Sequence, residues 1–249
     1  MEKVSIIIPA YNASKFIGEA VKSVENQNYE NYEILVVNDC SKDNTAEIVE
    51  KLSNSNPKIK LINNCNNSGA ALSRNAGIKN ATGRFIAFLD ADDVWVEEKL
   101  NKQINFMLKN GVSFSFTGYQ FSNSKAEPTG KKVFVPTKLT YKDLLKNTTI
   151  FTSTVIFDMN QLKEDDILMP VLKSGQDVAT WLNVLKKVEY AYGLNEILSM
   201  YRRTRGTLSS NKLKRLKVIW GIYENQKINK FYRLYCVPFW AFNAIKRRI

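Results

Sequence analysis

The chain predicts an α/β fold built on a mostly parallel central sheet flanked by helices, with a helical, basic C-terminal extension. Three observations carry this. Short β-branched or apolar runs begin near residues 4, 33, 59 and 85, spaced 26 to 29 residues apart, and the intervals between them show helical periodicity. That spacing is the rhythm of β-α-β units, whose strands lie parallel. Each run is followed by polar or acidic residues: Asn12, Asp39, Asn63 and Asn64, then Asp90 and Asp92. In an open parallel sheet these positions converge on one edge, where ligands bind.

Residues 4–8 form a β-branched run stopped by Pro9, hence a buried strand with a turn at Pro9, Ala10, Tyr11 and Asn12. Phe16, Ile17, Ala20, Val21 and Val24 recur at helical spacing to about Asn26. Residues 34–37 are the second strand, and Thr45 is placed to cap a helix carrying Ile48, Val49 and Leu52. Residues 59–62 are the third strand, residues 70–80 a third helix and residues 85–89 a fourth strand. That strand ends in Asp90, Asp92 and Asp93. Carboxylates this close repel one another and need a counter-charge. A divalent cation, Mg²⁺ or Mn²⁺, is the simplest remedy; the alternative makes Asp93 a helix cap and the others solvated turn residues.

Further along, residues 100–108 read as a helix closed by Gly111, and residues 112–121 as an amphipathic strand. Residues 131–135 read as an edge strand, 141–146 as a short helix capped by Thr140, and 154–157 as another strand. A helix over 176–186 buries Val178, Trp181, Leu182 and Leu185, with Asp177 in its first turn, where the helix dipole favours a carboxylate. The candidate boundaries are residues 1–211 for the α/β domain, halves 1–110 and 111–211, and 212–249 for the extension.

The 249 residues are 44% hydrophobic and 24% charged, an ordinary globular composition with enough chain for a real core. The net charge of +12 belongs to the tail: from Arg202 onward there are 13 Lys/Arg and one acid, Glu224, while residues 1–201 are neutral. No histidine is present, which removes Ser-His and Cys-His catalysis and His-ligated metals and leaves carboxylates for acid–base work. Cys40, Cys65 and Cys236 are widely spaced, as reduced cytosolic thiols are. No signal peptide or membrane-spanning run is expected. No Gly-x-Gly-x-x-Gly follows the first strand, which disfavours a dinucleotide dehydrogenase.

The run Val4 to Asn12, the run Val36 to Thr45, Asn67-Ser68-Gly69 with Ser73-Arg74-Asn75-Ala76-Gly77, and Phe88-Leu89-Asp90-Ala91-Asp92-Asp93 together resemble the motifs of family 2 glycosyltransferases. Gly175-Gln176-Asp177 and Tyr201-Arg202 continue the resemblance, and the stretch after them is similar to bacterial enzymes of teichuronic-acid and capsule assembly. The resemblance implies the Rossmann-like GT-A fold. It places Pro9, Ala10, Tyr11 and Asn12 around the nucleotide, Asp39 on the uracil edge, Asn67, Gly69 and Arg74 near the nucleotide, and Asp90, Ala91 and Asp92 at the donor's diphosphate. Asp92 would be the direct metal ligand, with Asp90 facing ribose or a metal-bound water, and Asp177 the catalytic base. Arg202, Arg203 or Arg205 would help hold the diphosphate, unless this is a solvated basic turn.

The reaction that the resemblance implies is inverting transfer of one sugar from a UDP-sugar to a polyprenyl-linked glycan, the motif of processive relatives being absent. The sequence departs from the family at Asn38, Cys40 and Gln176, which leaves open a catalytically inactive sugar-nucleotide-binding module. A nucleic-acid binder would explain the net charge, but the motif-bearing part is neutral, so no nucleic acid is expected as a partner. The tail mixes Lys/Arg with eight aromatics, Trp220 to Phe242. That suits an interfacial helix on an anionic leaflet, with the protein peripheral at the inner face of the plasma membrane, or a helix packing its aromatics on the domain.

Overall fold

The computed structural model describes residues 1–203 and 212–246. Arg205 and residues 208–211 of the motif after Tyr201-Arg202 lie outside the described residues. β1 (Val4–Ala10), β2 (Tyr32–Asn38), β3 (Ile59–Asn63) and β4 (Phe85–Phe88) are parallel, in the order β3-β2-β1-β4. β9 (Ile156–Asp158) adds antiparallel to β4, and β6 (Phe114–Ser122) antiparallel to β9. β10 (Ala191–Arg202) runs parallel to β6, and β5 (Val94–Trp95) closes that edge. β7 (Pro128–Val133) pairs with β6, and β8 (Lys138–Leu139) with β10.

Alternation along the strands sends side chains to two cores. Ile6, Ile8, Ile34 and Val36 pack under α1 (Ile17–Glu25), α2 (Thr45–Ser55) and α4 (Lys99–Asn110). On the other face Ile7, Leu35, Phe88, Phe114 and Phe157 pack with α3 (Ala70–Asn80), α5 (Tyr141–Lys146) and α7 (Gln176–Val184). A four-residue helix, α6 (Glu164–Ile167), precedes α7. The same core takes in residues of α8 (Lys212–Asn225) and α9 (Lys230–Lys246), among them Ile222, Tyr223, Cys236 and Trp240.

Several expectations change. β1 does not stop at Pro9; it continues to Ala10, pairing Pro9 with Val37. Pro9 lies where β1 outruns β4, whose last paired residue, Phe88, stands opposite Ile7, so the missing N–H breaks no ladder there. β6 is not amphipathic, because all nine of its residues are buried. It is a central strand covered on both faces, and its small polar side chains meet polar ones: Gln103 on α4 donates to Ser115 Oγ at 3.1 Å. Thr45 does not cap α2. It is the first helical residue, and its buried hydroxyl accepts from Ala13 N–H at 2.8 Å. β5 and β10 were not anticipated; β10 pairs irregularly between Leu194 and Ser199, which blurs its period. The cap at Thr140 has the expected partner, with Asp143 completing a reciprocal capping box.

The tail packs on the domain. Tyr223 Oη donates to Leu145 O at 2.6 Å, and Trp240 Nε1 donates to Thr148 Oγ1 at 3.1 Å. Trp240, expected to enter a membrane interface, is therefore turned inward and buried. Among the described residues no helix is long and apolar enough to cross a membrane.

Glu33 is buried in β2 and pins the strand beginnings. Its carboxylate accepts from Ser5 Oγ, Thr82 N–H and Thr82 Oγ1 at 2.7, 2.9 and 2.8 Å, and pairs with Lys60 at 2.9 Å. Burial alone would raise its pKa, but Lys60, Ser5 and Thr82 together lower it from 4.5 to about 2. The folded state thus binds this proton less readily than the unfolded chain. Its stabilisation is complete above pH 4.5 and is lost as pH falls toward 2. Glu33→Gln should flatten the melting temperature across that window and cost about 1–3 kcal/mol at neutral pH. Thermal melts from pH 2 to 7 check this; parallel curves for the two proteins would contradict it.

Candidate active site

The strands β1 to β4 run parallel, so the loops after them meet at one end. The first two loops are stitched together. Asn12 N–H donates to Ser41 Oγ at 3.0 Å, and Asn12 Oδ1 accepts from Lys42 N–H at 2.8 Å. Asn12 and Cys40 both have left-handed backbones, φ 49° and 60°. Asn tolerates that region, whereas at Cys40 the side chain is accommodated at a cost.

A cleft of about 370 Å³ opens here, lined by Pro9, Tyr11, Asn12, Arg74, Asp90, Ala91 and Asp92, together with Ala13, Phe16 and Ala70. Tyr11 is half exposed, offering a ring on the cleft wall. Ala10, Asp39, Asn67 and Gly69 are not among its lining residues. Asp39 is buried; its Oδ1 accepts from Ser68 N–H, Ser68 Oγ and Asn64 Nδ2 at 2.9, 2.9 and 2.8 Å. Its Oδ2 accepts from Gly69 N–H at 2.7 Å, where Gly69 takes φ 84°. Ala10 O accepts from Asp39 N–H at 2.8 Å, and Asn67 Nδ2 donates to Asp39 O at 3.3 Å. Burial would raise the Asp39 pKa, but the Ser68, Asn64 and Gly69 donors outweigh it and hold the carboxylate ionised.

Arg74, buried on α3, reaches Asp90 with an Nη2 to Oδ1 distance of 2.5 Å, and its Nε is a buried donor without a partner. Asp92 is half-buried. Burial first, then the charge of Asp90, raises its pKa. Asp93 is fully buried, and burial followed by the charges of Asp90 and Asp92 pushes its carboxyl well above the ordinary range. Asp93 does not cap a helix. Its Oδ2 accepts from Ser153 Oγ at 2.6 Å and its Oδ1 from Arg202 N–H at 3.1 Å.

Arg202 is 1% exposed. Its Nε donates to Asp92 O at 2.7 Å, Nη1 to Ser124 O at 2.5 Å and Nη2 to Glu19 Oε2 at 2.5 Å, and its guanidinium lies 4.7 Å from the Phe16 ring centroid. Each nitrogen has a protein partner, so the geometry makes it a clamp on the Asp92 backbone. Arg203 is exposed and stacks 3.9 Å from the Phe121 centroid.

The residues that sequence reasoning missed lie in one turn of 3-10 helix, Thr152–Thr154. Ser153 Oγ donates to Asp93 while accepting from Asp90 N–H at 3.1 Å. Ser153 O accepts from Trp95 Nε1 and Ser199 Oγ at 2.7 and 3.1 Å. Thr152 Oγ1 donates to Asp177 Oδ2 at 3.2 Å, and Asp177 Oδ1 accepts from Val178 N–H at 2.8 Å. Adjacent residues therefore hold the acidic loop and Asp177 together. A Thr-Ser-Thr stretch before a strand carries no motif, so only the fold reveals it. Phe151 beside it packs 4.7 Å from Tyr201, whose hydroxyl pKa is pushed up to about 12 by burial and then by the charges of Asp93, Asp92 and Asp90.

Asp177 sits at the start of α7, after Gly175. Gly175 has φ 77°, and a Cβ there would meet Ile222 Cδ1 at 2.5 Å. Helix α8 thus rests directly on the backbone that presents Asp177.

A parallel four-stranded half with an acidic crevice at its strand ends, joined to a mixed second half, defines a glycosyltransferase of GT-A architecture. The chain belongs to glycosyltransferase family 2, whose model, Glycosyl transferase family 2, matches residues 5–162. It is 41% identical to TuaG of Bacillus subtilis, a glycosyltransferase assigned to teichuronic acid biosynthesis, over 99% of this chain and 97% of that one. It is 40% identical to WfgD of Escherichia coli, a UDP-Glc:alpha-D-GlcNAc-diphosphoundecaprenol beta-1,3-glucosyltransferase, over 98% and 94%. The fold matches the crystal structure of S. aureus TarS 1-349 in complex with UDP-GlcNAc, with TM-score 0.71 and 24% identity, over 97% of this chain and 71% of that one. It also matches the mannosyltransferase PcManGT from Pyrobaculum calidifontis in complex with GDP-Man and Mn²⁺, with TM-score 0.71 and 17% identity, over 91% and 64%.

Ser153→Ala should leave Asp93 buried without its donor, costing about 1–3 kcal/mol of stability. Displacing the Asp90–Asp92 backbone should lower kcat by about 10- to 100-fold. Melting curves and steady-state kinetics test both, and an unchanged kcat would show that the turn does not position the acidic loop.

Proposed function

We propose that this enzyme transfers a single sugar from a UDP-sugar to a hydroxyl of a lipid-linked glycan, with inversion, in the synthesis of a bacterial cell-surface polysaccharide. The observation that carries the reading is that Asp90 and Asp92 line the cleft while Asp177 is hydrogen-bonded to the 3-10 turn that also holds Asp90. The names of the relatives support the substrate class, since WfgD uses UDP-Glc and a diphosphoundecaprenol-linked acceptor.

The acidic loop suits a Mn²⁺ or Mg²⁺ ion. Among the described residues no three His, Cys, Asp or Glu side chains cluster as a closed metal cage. Two half-buried carboxylates, with Asp92 pushed up by burial and by Asp90, instead make an open, oxygen-only donor set. Hard cations that also bind substrate phosphates use such sets. Asp92 would hold the ion directly and Asp90 through water; when bound, it supplies charge neutralisation for the departing diphosphate.

The chain's own residues do the rest. Pro9, Tyr11 and Asn12 wall the cleft, against which the nucleotide packs. Asp39 is held by donors from Asn64, Ser68 and Gly69, three on Oδ1 and one on Oδ2, and its Oδ2 keeps an acceptor position for the uracil edge. Arg74 pairs with Asp90 and fixes its orientation. Arg202 holds the Asp92 backbone from behind, so its role is positioning rather than diphosphate contact. Asp177 takes the proton of the attacking acceptor hydroxyl. One base and direct displacement give inversion; retention through a covalent intermediate would need a second, nucleophilic carboxylate. A lipid-linked acceptor brings the enzyme to the inner face of the plasma membrane, through its C-terminal helices.

UDP release, measured across a panel of UDP-sugars with Mn²⁺ present, identifies the donor. Asp92→Asn, which keeps the volume and removes the charge, should abolish metal-dependent turnover with little change in melting temperature. Near-normal transfer would reject the metal assignment. Asp177→Asn should keep donor binding but lose transfer by about 10²–10⁴, the contribution of a general base. A slightly destabilised, active variant would make Asp177 a helix-terminus charge only.

A further inference from the structure

Helix α9 is apolar on two opposite faces, and the domain covers one of them. Cys236, Trp240 and Ala244 point inward and are buried. Phe231, Leu234, Tyr235, Phe239, Phe242 and Ile245 are 85, 55, 50, 45, 67 and 55% exposed. Their spacing of three and four residues makes one continuous outer stripe along the helix. An exposed apolar stripe of this length is suited to contact with an apolar phase rather than water.

The surroundings of the stripe are cationic. Lys146 on α5 places Nζ 5.0 Å from the Tyr235 ring centroid and 5.7 Å from that of Phe239. Lys227 and Lys230 are exposed at its leading end. The nearest acid in sequence, Glu224, is paired with Arg233 at 3.0 Å. From Asn225 to the last residue the sequence has six Lys/Arg and no carboxylate side chain.

We infer that the outer face of α9 docks on an anionic phospholipid bilayer. The helix lies in the headgroup plane, with Phe231, Phe239 and Phe242 among the acyl chains and Lys146, Lys227 and Lys230 at the phosphates. Exposed aromatics flanked by lysines are the make-up of an interfacial helix, and anionic headgroups supply the counter-charge for these lysines. A second copy of the chain is the poorer occupant. A two-fold pairing of this face would set the lysines of one copy against those of the other, and Glu224 is already paired with Arg233.

The docking face is also coupled to the site. α9 packs on α5, and α8, which precedes it, rests on Gly175 two residues before Asp177. A bilayer under α9 therefore holds the candidate base at a fixed attitude to a lipid-linked acceptor. In this respect the inference rests on the proposed function, but the docking itself is measured without it.

The test is flotation of the full chain with vesicles of phosphatidylglycerol and phosphatidylcholine, and of phosphatidylcholine alone, at low and high salt. Phe231→Ser/Phe239→Ser/Phe242→Ser alters only exposed side chains, so its melting temperature should stay close to that of the unaltered protein. The unaltered protein should float with the anionic vesicles, less so at high salt, and the triple variant should bind at least about tenfold more weakly. Transfer to a long-chain lipid-linked acceptor in vesicles should fall with it, while donor hydrolysis and transfer to a short soluble acceptor should not. An unaltered protein that stays unbound at low salt, or a variant that floats equally well, overturns the docking. So does a stable dimer in sedimentation that the triple variant breaks. If no donor supports transfer to either acceptor, the proposed function fails, and flotation still decides the docking.

Discussion

The hydrogen bond from Ser153 to the buried carboxylate of Asp93 is the contact on which the rest of the site depends. Asp93 is placed where burial and two nearby carboxylates oppose its ionisation, and Ser153 and the Arg202 backbone hydrogen-bond to it there. Through Ser153 the strain of three acids in four residues is tied to the sheet, because the same hydroxyl accepts from Asp90 N–H and the same residue's carbonyl accepts from Trp95 and Ser199. Polar groups removed from water are costly unless matched, and once matched they fix a geometry. Here that geometry is the orientation of the loop that faces the cleft.

The two ends of the parallel sheet are stabilised differently. At the strand beginnings Glu33 is a closed hub, held by Ser5, Thr82 and Lys60. At the strand ends the same chemistry is left partly open: Asp90 has one arginine, Asp92 is half-buried and Arg74 keeps an unpartnered Nε. The contrast is what separates a structural polar cluster from one arranged toward a ligand.

Much of the parallel half was legible because its strands are short apolar runs at even spacing and its helices show apolar periodicity between them, although its helix starts carry no side-chain cap. The acidic stretch after the fourth strand and the place of Asn12 at the strand ends followed from that pattern, while Pro9 and Tyr11 were expected at the site from the family resemblance. The second half was less legible for physical reasons. β6 alternates aromatic and small polar residues, yet both faces are buried because α4 offers Gln103 to its polar side. β10 carries an irregularity at Leu194 to Ser199 that hides its period, and β5 is two residues long. Ser153, Thr152 and the inward turn of Trp240 are tertiary facts, set by distant stretches of the chain or by another helix, and no local spacing encodes them.

The seating of α8 against Gly175 has a consequence for exchanging parts between related enzymes. The wall behind the turn before Asp177 is made by Val218 and Ile222, more than 40 residues later in the chain. A chimera that took residues 168–185 from one relative and the final helices from another would join two surfaces shaped for different partners. The turn before Asp177 and the C-terminal helices should therefore travel as one inherited block, even though the sequence between them is long.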